Sequence, residues 1–140
     1  MQQIFVFGTL KQGFPNHKCN SGERLPGNYQ TLHKYPLYLV GKRCSPWLIL
    51  DPGRGNKIQG QIFTVDSDGL KQMDKLERIA EPDGYRRIQI AVVSDSSAEP
   101  IKVFAYVKST QQLKSATHKV ELQDEYQLEH AALYSTRHSS

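Results

Sequence analysis

Apolar positions recur with a period of two along most of this chain and with a helical period in one stretch. Ile4-Phe5-Val6-Phe7 is a continuous apolar run closed by Gly8, which predicts a buried strand over 3–7. Gly13, Pro15 and Asn16 follow closely, so the chain turns after Leu10. Short apolar or alternating runs bounded by Gly and Pro predict strands or extended segments over 28–32, 36–40 and 47–50. Asp51-Pro52-Gly53-Arg54-Gly55-Asn56 is a turn signal, with a strand over 57–65 after it. Ile88, Ile90 and Val92 alternate with Arg87, Gln89 and Ala91. Ile101, Val103, Ala105 and Val107 alternate with Lys102, Phe104, Tyr106 and Lys108, and both patterns predict strands.

The helical stretch lies between these strands. Leu70, Met73, Leu76 and Ala80 recur at helical spacing, Ser67 can cap the start, Asp68 suits the N-terminal dipole, and Pro82-Asp83-Gly84 is a stop. From Ser109 the chain turns polar. The expectation is a domain over 1–108 and a polar extension over 109–140, with a packed helix around 122–134 and a frayed end over 135–140. Several strands with one well-defined helix between two of them make the class α+β, with a curved or barrel-like sheet.

Composition narrows the setting. A chain of 140 residues, 38% hydrophobic and 23% charged, can bury a core without disulfides. Cys19 and Cys44 lie far apart without C-x-x-C spacing, so reduced thiols and a cytoplasmic location are expected. The N-terminal apolar run is too short for a signal peptide, and no stretch approaches the ~18 apolar residues of a membrane span. The net charge of +4 is uneven: residues 1–50 hold Lys11, Lys18, Arg24, Lys34, Lys42 and Arg43 against Glu23 alone. That bias suits an anionic small ligand or simple solvation. It does not suit nucleic acid, because the basic residues are scattered and no aromatic recognition pattern accompanies them. No pattern specifies an oligomer, and a monomer is expected.

Two segments carry candidate chemistry. Gly8 and Gly13 have the outer spacing of a phosphate loop, but Phe14 and Pro15 stand where Lys-Ser/Thr is required, which excludes that reading. What remains at 7–10 is an apolar strand ending in Gly and Thr. Such a turn either aims successive backbone N–H groups into a cavity or is an ordinary strand exit. The second segment is the helix, where Glu77 falls seven residues after Leu70 and so shares the Leu70–Met73–Leu76 stripe. Asp74 lies at the edge of that face, with Lys71, Lys75 and Arg78 nearer the other side. A carboxylate in a buried stripe must be paired or have its pKa raised. Glu77 is therefore either a general base and acid or half of an ion pair with Arg86 or Arg87.

Other residues offer less. His17 and Cys19 have no second ligand pair, so no metal is expected. His118, His130 and His138 sit in the polar tail and should face water. No Ser has a G-x-S-x-G context, and neither Cys has a local base. Trp47, Tyr38 and Tyr106 either line a pocket or pack in the core.

Taken together, these segments resemble one family. Ile4-Phe5-Val6-Phe7-Gly8-Thr9-Leu10-Lys11-Gln12-Gly13 and then Pro15-Asn16-His17 resemble the V-Y-G-T-L-K-x-G-x-x-N-H opening of γ-glutamylamine cyclotransferases, within the γ-glutamylcyclotransferase-like (AIG2-like) family. The helix from Leu70 to Glu77 followed by Tyr85-Arg86-Arg87 resembles its L-D-x-x-E helix and Y-x-R strand. Tyr35-Pro36-Leu37, Pro46-Trp47-Leu48 and the run from Ile58 to Asp66 fit between them, so the likeness spans about 4–107.

The resemblance implies a small mixed β-barrel with a few short helices and a pocket at one end. It implies that the Phe7, Gly8, Thr9 and Leu10 turn binds a glutamyl α-carboxylate through backbone amides, and that Glu77 is the catalytic carboxylate. Asp74, Tyr85 and Arg87 become supporting candidates. Phe7 replaces the family's usual Tyr, which removes a hydroxyl but no backbone donor. The implied reaction is cofactor-free release of 5-oxoproline and an amine from a small γ-glutamylamine such as γ-glutamyl-lysine. Cyclotransfer on γ-glutamyl amino acids or other γ-glutamyl conjugates, and a non-catalytic binding module on the same fold, remain open.

Overall fold

The continuous apolar run forms β1 (Gln2–Val6), and both of its faces are buried, which is why it does not alternate. In the computed structural model, which describes residues 1–135, eight further strands follow. They are β2 (Glu23–Arg24), β3 (Tyr29–Thr31), β4 (Leu37–Val40), β5 (Ser45–Leu48), β6 (Gln59–Val65), β7 (Arg86–Ser94), β8 (Ile101–Val107) and β9 (Lys119–Leu122). β1 pairs antiparallel with β6 and parallel with β8; β8 pairs with β7, β7 with β3, and β3 with β6. That circuit returns to its start, so five strands close into a mixed barrel, with β2 added on β6. Closure leaves few free edges to protect. A second sheet runs β5–β4–β9, antiparallel throughout.

The side chains of β1 divide between two cores. Phe5, and Phe7 just past the strand end, join Leu37, Leu48, Ile58, Ile62, Val92 and Ala105, a cluster the barrel shares with the second sheet. Ile4 and Val6 join Phe63, Val65, Tyr85, Tyr106 and the helix residue Met73. The period of two in β1 thus ties both cores through one strand.

Helix α1 (Ser67–Leu76) starts one residue earlier than expected in its capping. Asp66, not Ser67, is the cap: its backbone is extended and its Oδ1 accepts from the Gly69 N–H at 2.7 Å. The helix also stops earlier, well before Pro82. Arg78 adopts a left-handed φ of 56°, the Arg78 N–H donates to the Lys75 carbonyl, and the Ile79 N–H donates to the Asp74 carbonyl. These are the paired closing bonds of a Schellman ending, with Arg where Gly is usual. Ala80 therefore lies outside the helix and is exposed, while Met73 is fully buried and Leu70 and Leu76 are half-buried.

The segment after Ser109 holds α2 (Thr110–Ser115), β9 and α3 (Leu128–Ala131). Ser109 and Gln112 form a capping box on α2. The region expected as a helix around 122–134 contains only the short α3, and the preceding residues pair as β9 with β4. Tyr126 between them is completely buried in the larger core. The end expected to fray over 135–140 falls, beyond Ser135, outside the described residues; the Ser135 N–H donates to the Arg43 carbonyl. No helix among the described residues is long and apolar enough to cross a membrane.

Candidate active site

One cleft of about 1500 Å³ is lined by the exit of β1, the end of α1, β5, the loop leading into β7 and the end of β8. The β1 exit is a tight turn in which the Lys11 N–H donates to the Gly8 carbonyl at 3.1 Å. Two buried asparagines hold it. Asn16 donates from its main chain to the Thr9 carbonyl at 2.8 Å and from Nδ2 to Thr9 Oγ1 at 2.9 Å. Asn20 Nδ2 donates to the Leu10 carbonyl at 3.2 Å. With its carbonyls held this way, the turn's N–H groups are left over: among the described residues, those of Gly8, Thr9 and Leu10 donate to no main-chain acceptor. All three residues are buried and line the cleft. Such a turn can present its N–H groups to an acceptor in the cleft. Gly8 is required for packing, since a Cβ there would lie 2.7 Å from Pro46 Cγ.

Glu77 stands at the other wall. It is the C-cap of α1, lines the cleft and is half-buried, not sunk in the apolar stripe as the spacing predicted. Its backbone is still helical and its N–H donates to the Met73 carbonyl at 2.9 Å, so it stays on that side of α1 at the point where the helix opens into the cleft. Its carbonyl accepts from the Tyr85 N–H at 3.0 Å, which joins the helix end to the start of β7. Arg87 Nη1 donates to Asp74 Oδ2, and Arg86 is exposed.

Asp74 and Arg87 are not among the lining residues. They are linked to the cleft by the lining residue Tyr106, whose hydroxyl donates to Asp74 Oδ1 at 2.7 Å. Burial, and then this bond to Asp74, push the Tyr106 pKa far up, so its proton stays in place. Tyr85 is buried and donates to the Pro46 carbonyl at 2.8 Å, bracing the cleft floor against β5. Trp47 and Tyr106 line the cleft, whereas Tyr38 lies elsewhere and donates to Glu121 Oε1. Phe7 also lines it, with its ring in the larger core.

Sequence reasoning missed several contributors. Lys108, read as an ordinary strand residue, is buried with its ammonium 4.4 Å from the Trp47 ring centroid and 4.5 Å from that of Tyr85; it also donates to the Asp83 carbonyl. Asn16 belonged to the quoted opening motif but had no assigned task, and Asn20 had no signal at all. Tyr134 reaches the cleft from the C-terminal segment and accepts from Asn16 Nδ2 at 3.1 Å. His130, expected in water, is half-buried, and its Nδ1 accepts from the Gln127 N–H. His118 is exposed, and His138 lies outside the described residues. His17 packs on Phe63, and among the described residues no group of three or more His, Cys, Asp or Glu side chains converges as a metal site.

The family model for gamma-glutamyl cyclotransferase, AIG2-like, matches residues 4–132. The chain belongs to this family of cyclotransferase enzymes. The match runs past the 4–107 traced through the motifs and takes in α2, β9 and α3. Gamma-glutamylaminecyclotransferase of Bos taurus is 34% identical over 112 residues, which is 76% of this chain and 66% of the bovine protein. The protein of the same name from Mus musculus is 33% identical over 121 residues, 79% of this chain and 80% of the mouse protein. A crystal structure of an AIG2-like protein from Mus musculus superimposes with a TM-score of 0.79 at 28% identity, covering 100% of this chain and 99% of that one. The likeness to the mouse structure is thus not confined to the barrel.

Proposed function

We propose that the protein is a γ-glutamylamine cyclotransferase, which releases 5-oxoproline and a free amine from γ-glutamylamines such as γ-glutamyl-lysine. The observation that carries this reading is that the turn with its uncommitted N–H groups and Glu77 line one cleft, although they are far apart in sequence. The names of the bovine and mouse relatives support the same substrate class.

The substrate supplies its own nucleophile. Its α-carboxylate lies against the N–H groups of Gly8, Thr9 and Leu10, with Phe7 packing beside it, and this fixes the α-nitrogen next to the γ-carbonyl. Glu77 takes a proton from the α-ammonium. The α-nitrogen then attacks the γ-carbon, forming the lactam C–N bond, and the γ-amide C–N bond breaks. The leaving nitrogen receives that proton from Glu77, and the second proton, shed by the α-nitrogen as the lactam forms, passes through the same carboxylate, so that the amine departs as its ammonium and Glu77 returns to the carboxylate. Holding a near-attack geometry can contribute about 7–11 kcal/mol in an intramolecular closure of this kind. Asp74 and Arg87 act as positioning residues through Tyr106, and Tyr85 ties the Glu77 loop to β5.

The test is 5-oxoproline release by the purified chain from a panel of γ-glutamyl-lysine, γ-glutamyl amino acids and glutathione. Turnover of the γ-glutamylamine above the others supports the proposal. Preference for γ-glutamyl amino acids moves the chain to a different leaving group, and binding without any release makes it a non-catalytic module.

A further inference from the structure

The cleft receives one residue from the last described stretch of the chain. Tyr134 lines it, just beyond the residues 4–132 that match the family model. Its main chain is held on both sides. The Tyr134 N–H donates to the Ala131 carbonyl at 3.1 Å, and the Ser135 N–H donates to the Arg43 carbonyl at 3.1 Å. Its half-buried side chain meets the turn after β1: the hydroxyl oxygen accepts from Asn16 Nδ2 at 3.1 Å, and the same amide nitrogen donates to Thr9 Oγ1 at 2.9 Å. One buried amide group thus joins the phenol to a residue of the proposed binding turn.

A phenol can accept and donate at once. Asn16 occupies the accepting side of Tyr134, so the phenolic proton is directed elsewhere, and among the described residues it meets no acceptor. On the γ-glutamyl reading above, a carboxylate lies against the N–H groups of Gly8, Thr9 and Leu10. A carboxylate offers about four lone-pair positions, so three main-chain donors leave room for another. We propose that Tyr134 is a substrate-binding residue whose O–H donates to the α-carboxylate of the glutamyl group. The α-carboxylate takes no part in bond making, so this contact is the same before and during ring closure. Its loss raises KM and leaves kcat in place.

Tyr134→Phe keeps the ring and removes the hydroxyl. For γ-glutamyl-lysine its KM is expected to rise roughly tenfold, the scale of one hydrogen bond to a charged group, with kcat within about twofold of normal. NMR titration of the full chain with two small ligands assigns the contact. 5-Oxoproline carries the carboxylate, and 2-pyrrolidinone is the same ring without it. The variant is expected to bind 5-oxoproline roughly tenfold more weakly and 2-pyrrolidinone as before. Equal weakening of both means that the hydroxyl only steadies Asn16, and overturns the assignment. An unchanged KM and an unchanged 5-oxoproline affinity also overturn it, and leave the cyclotransferase reading standing. If the unaltered chain releases 5-oxoproline from no γ-glutamyl compound, that reading fails and the titrations decide alone. A preference for the carboxylate that is lost in Tyr134→Phe then upholds the contact, and equal or absent binding overturns it. A readout without a variant comes from a 13C label on the tyrosine ring carbon that bears the oxygen. 5-Oxoproline is expected to shift the Tyr134 signal and 2-pyrrolidinone to leave it, and no shift with either overturns the contact.

Discussion

The main-chain N–H of Tyr85 donates to the carbonyl of Glu77 at 3.0 Å, so the loop over 78–84 leaves α1 and returns to the same point. Gly84 is the closest approach in that return. A Cβ there would lie 1.7 Å from the Arg78 carbonyl oxygen, which is backbone and cannot rotate away. Gly84→Ala is expected to lower stability by more than about 2 kcal/mol, beyond the usual range of surface changes, and to displace Glu77. Glu81→Ala, on the exposed part of the same loop, is expected to stay within ~0.5 kcal/mol. Thermal melts of both variants check this.

At the opposite wall the contacts are main-chain, which separates the effects of two neighbouring residues. Thr9→Ser keeps the oxygen that accepts from Asn16 and is expected to leave activity within a few-fold of normal. Gly8→Val is expected to abolish measurable turnover, because its Cβ would press into the Pro46 ring and move the N–H groups of the turn. A fully active Gly8→Val enzyme would contradict the proposed binding geometry.

Lys11 gives a pH signature. Its ammonium is buried, donates to the Tyr126 carbonyl at 2.6 Å and lies 4.2 Å from the Phe14 ring centroid. Burial pushes its pKa down to about 8, against the opposing pull of Glu125 at 3.9 Å. Between about 8 and its ordinary 10.5 the unfolded chain binds more protons than the folded one, so this group makes stability rise with pH across that window. The limiting slope is about 1.4 kcal/mol per pH unit. Denaturant melts at several pH values should show the wild type gaining on Lys11→Met as pH rises, and a gap independent of pH would refute the assignment.

The legible parts of the fold were those whose information is local. β1, β6, β7 and β8 announce themselves by apolar runs and alternation, and the helix by Leu70, Met73 and Leu76. The boundaries were less legible because competing residues were available. Asp66, Ser67 and Asp68 can each cap, and only the extended backbone at Asp66 decides among them. The early stop depends on Arg78 adopting a conformation that favours Gly, for which no local signal exists. Strand β9 is mostly exposed and polar, and it is recognisable only by its partner β4. Lys11 and Lys108 are buried because carbonyls and rings distant in sequence receive their ammonium groups. At the site, the turn and Glu77 were legible as motif residues, whereas the asparagines and lysines around them were not.

The C-terminal segment is expected to matter as far as Tyr126 and little beyond Tyr134. Tyr126 is fully buried against Phe14, and its carbonyl receives Lys11 next to the proposed binding turn. Tyr126→Ala is expected to cost about 3–5 kcal/mol, the scale for removing a large aromatic from a core. A chain ending at Tyr134 loses the Ser135 hydrogen bond to the Arg43 carbonyl, and its melting temperature is expected to match that of the full chain. Loss of several degrees in the shortened chain would show that the final residues pack.

The decisive pair of variants lies on one helix. Glu77→Gln keeps size and hydrogen-bonding capacity but cannot take the α-ammonium proton or return one to the leaving nitrogen. Turnover is expected to fall by ~10²–10⁴, the scale for removing a general base, with folding and ligand binding retained. Asp74→Asn is the matched control. Its two oxygens accept from Tyr106 and Arg87, outside the lining of the cleft. Losing the charge is expected to lower stability by about 1–3 kcal/mol through weakened charge-assisted bonds. It is expected to reduce turnover far less than Glu77→Gln, because Tyr106 shifts without any proton-transfer group being lost. A purely structural glutamate would give the reverse at Glu77: lower stability with the rate per folded molecule nearly intact. Thermal melts and single-turnover rates on both variants separate the two patterns. Normal turnover in Glu77→Gln with a dead Asp74→Asn would move the proton-transfer role to Asp74.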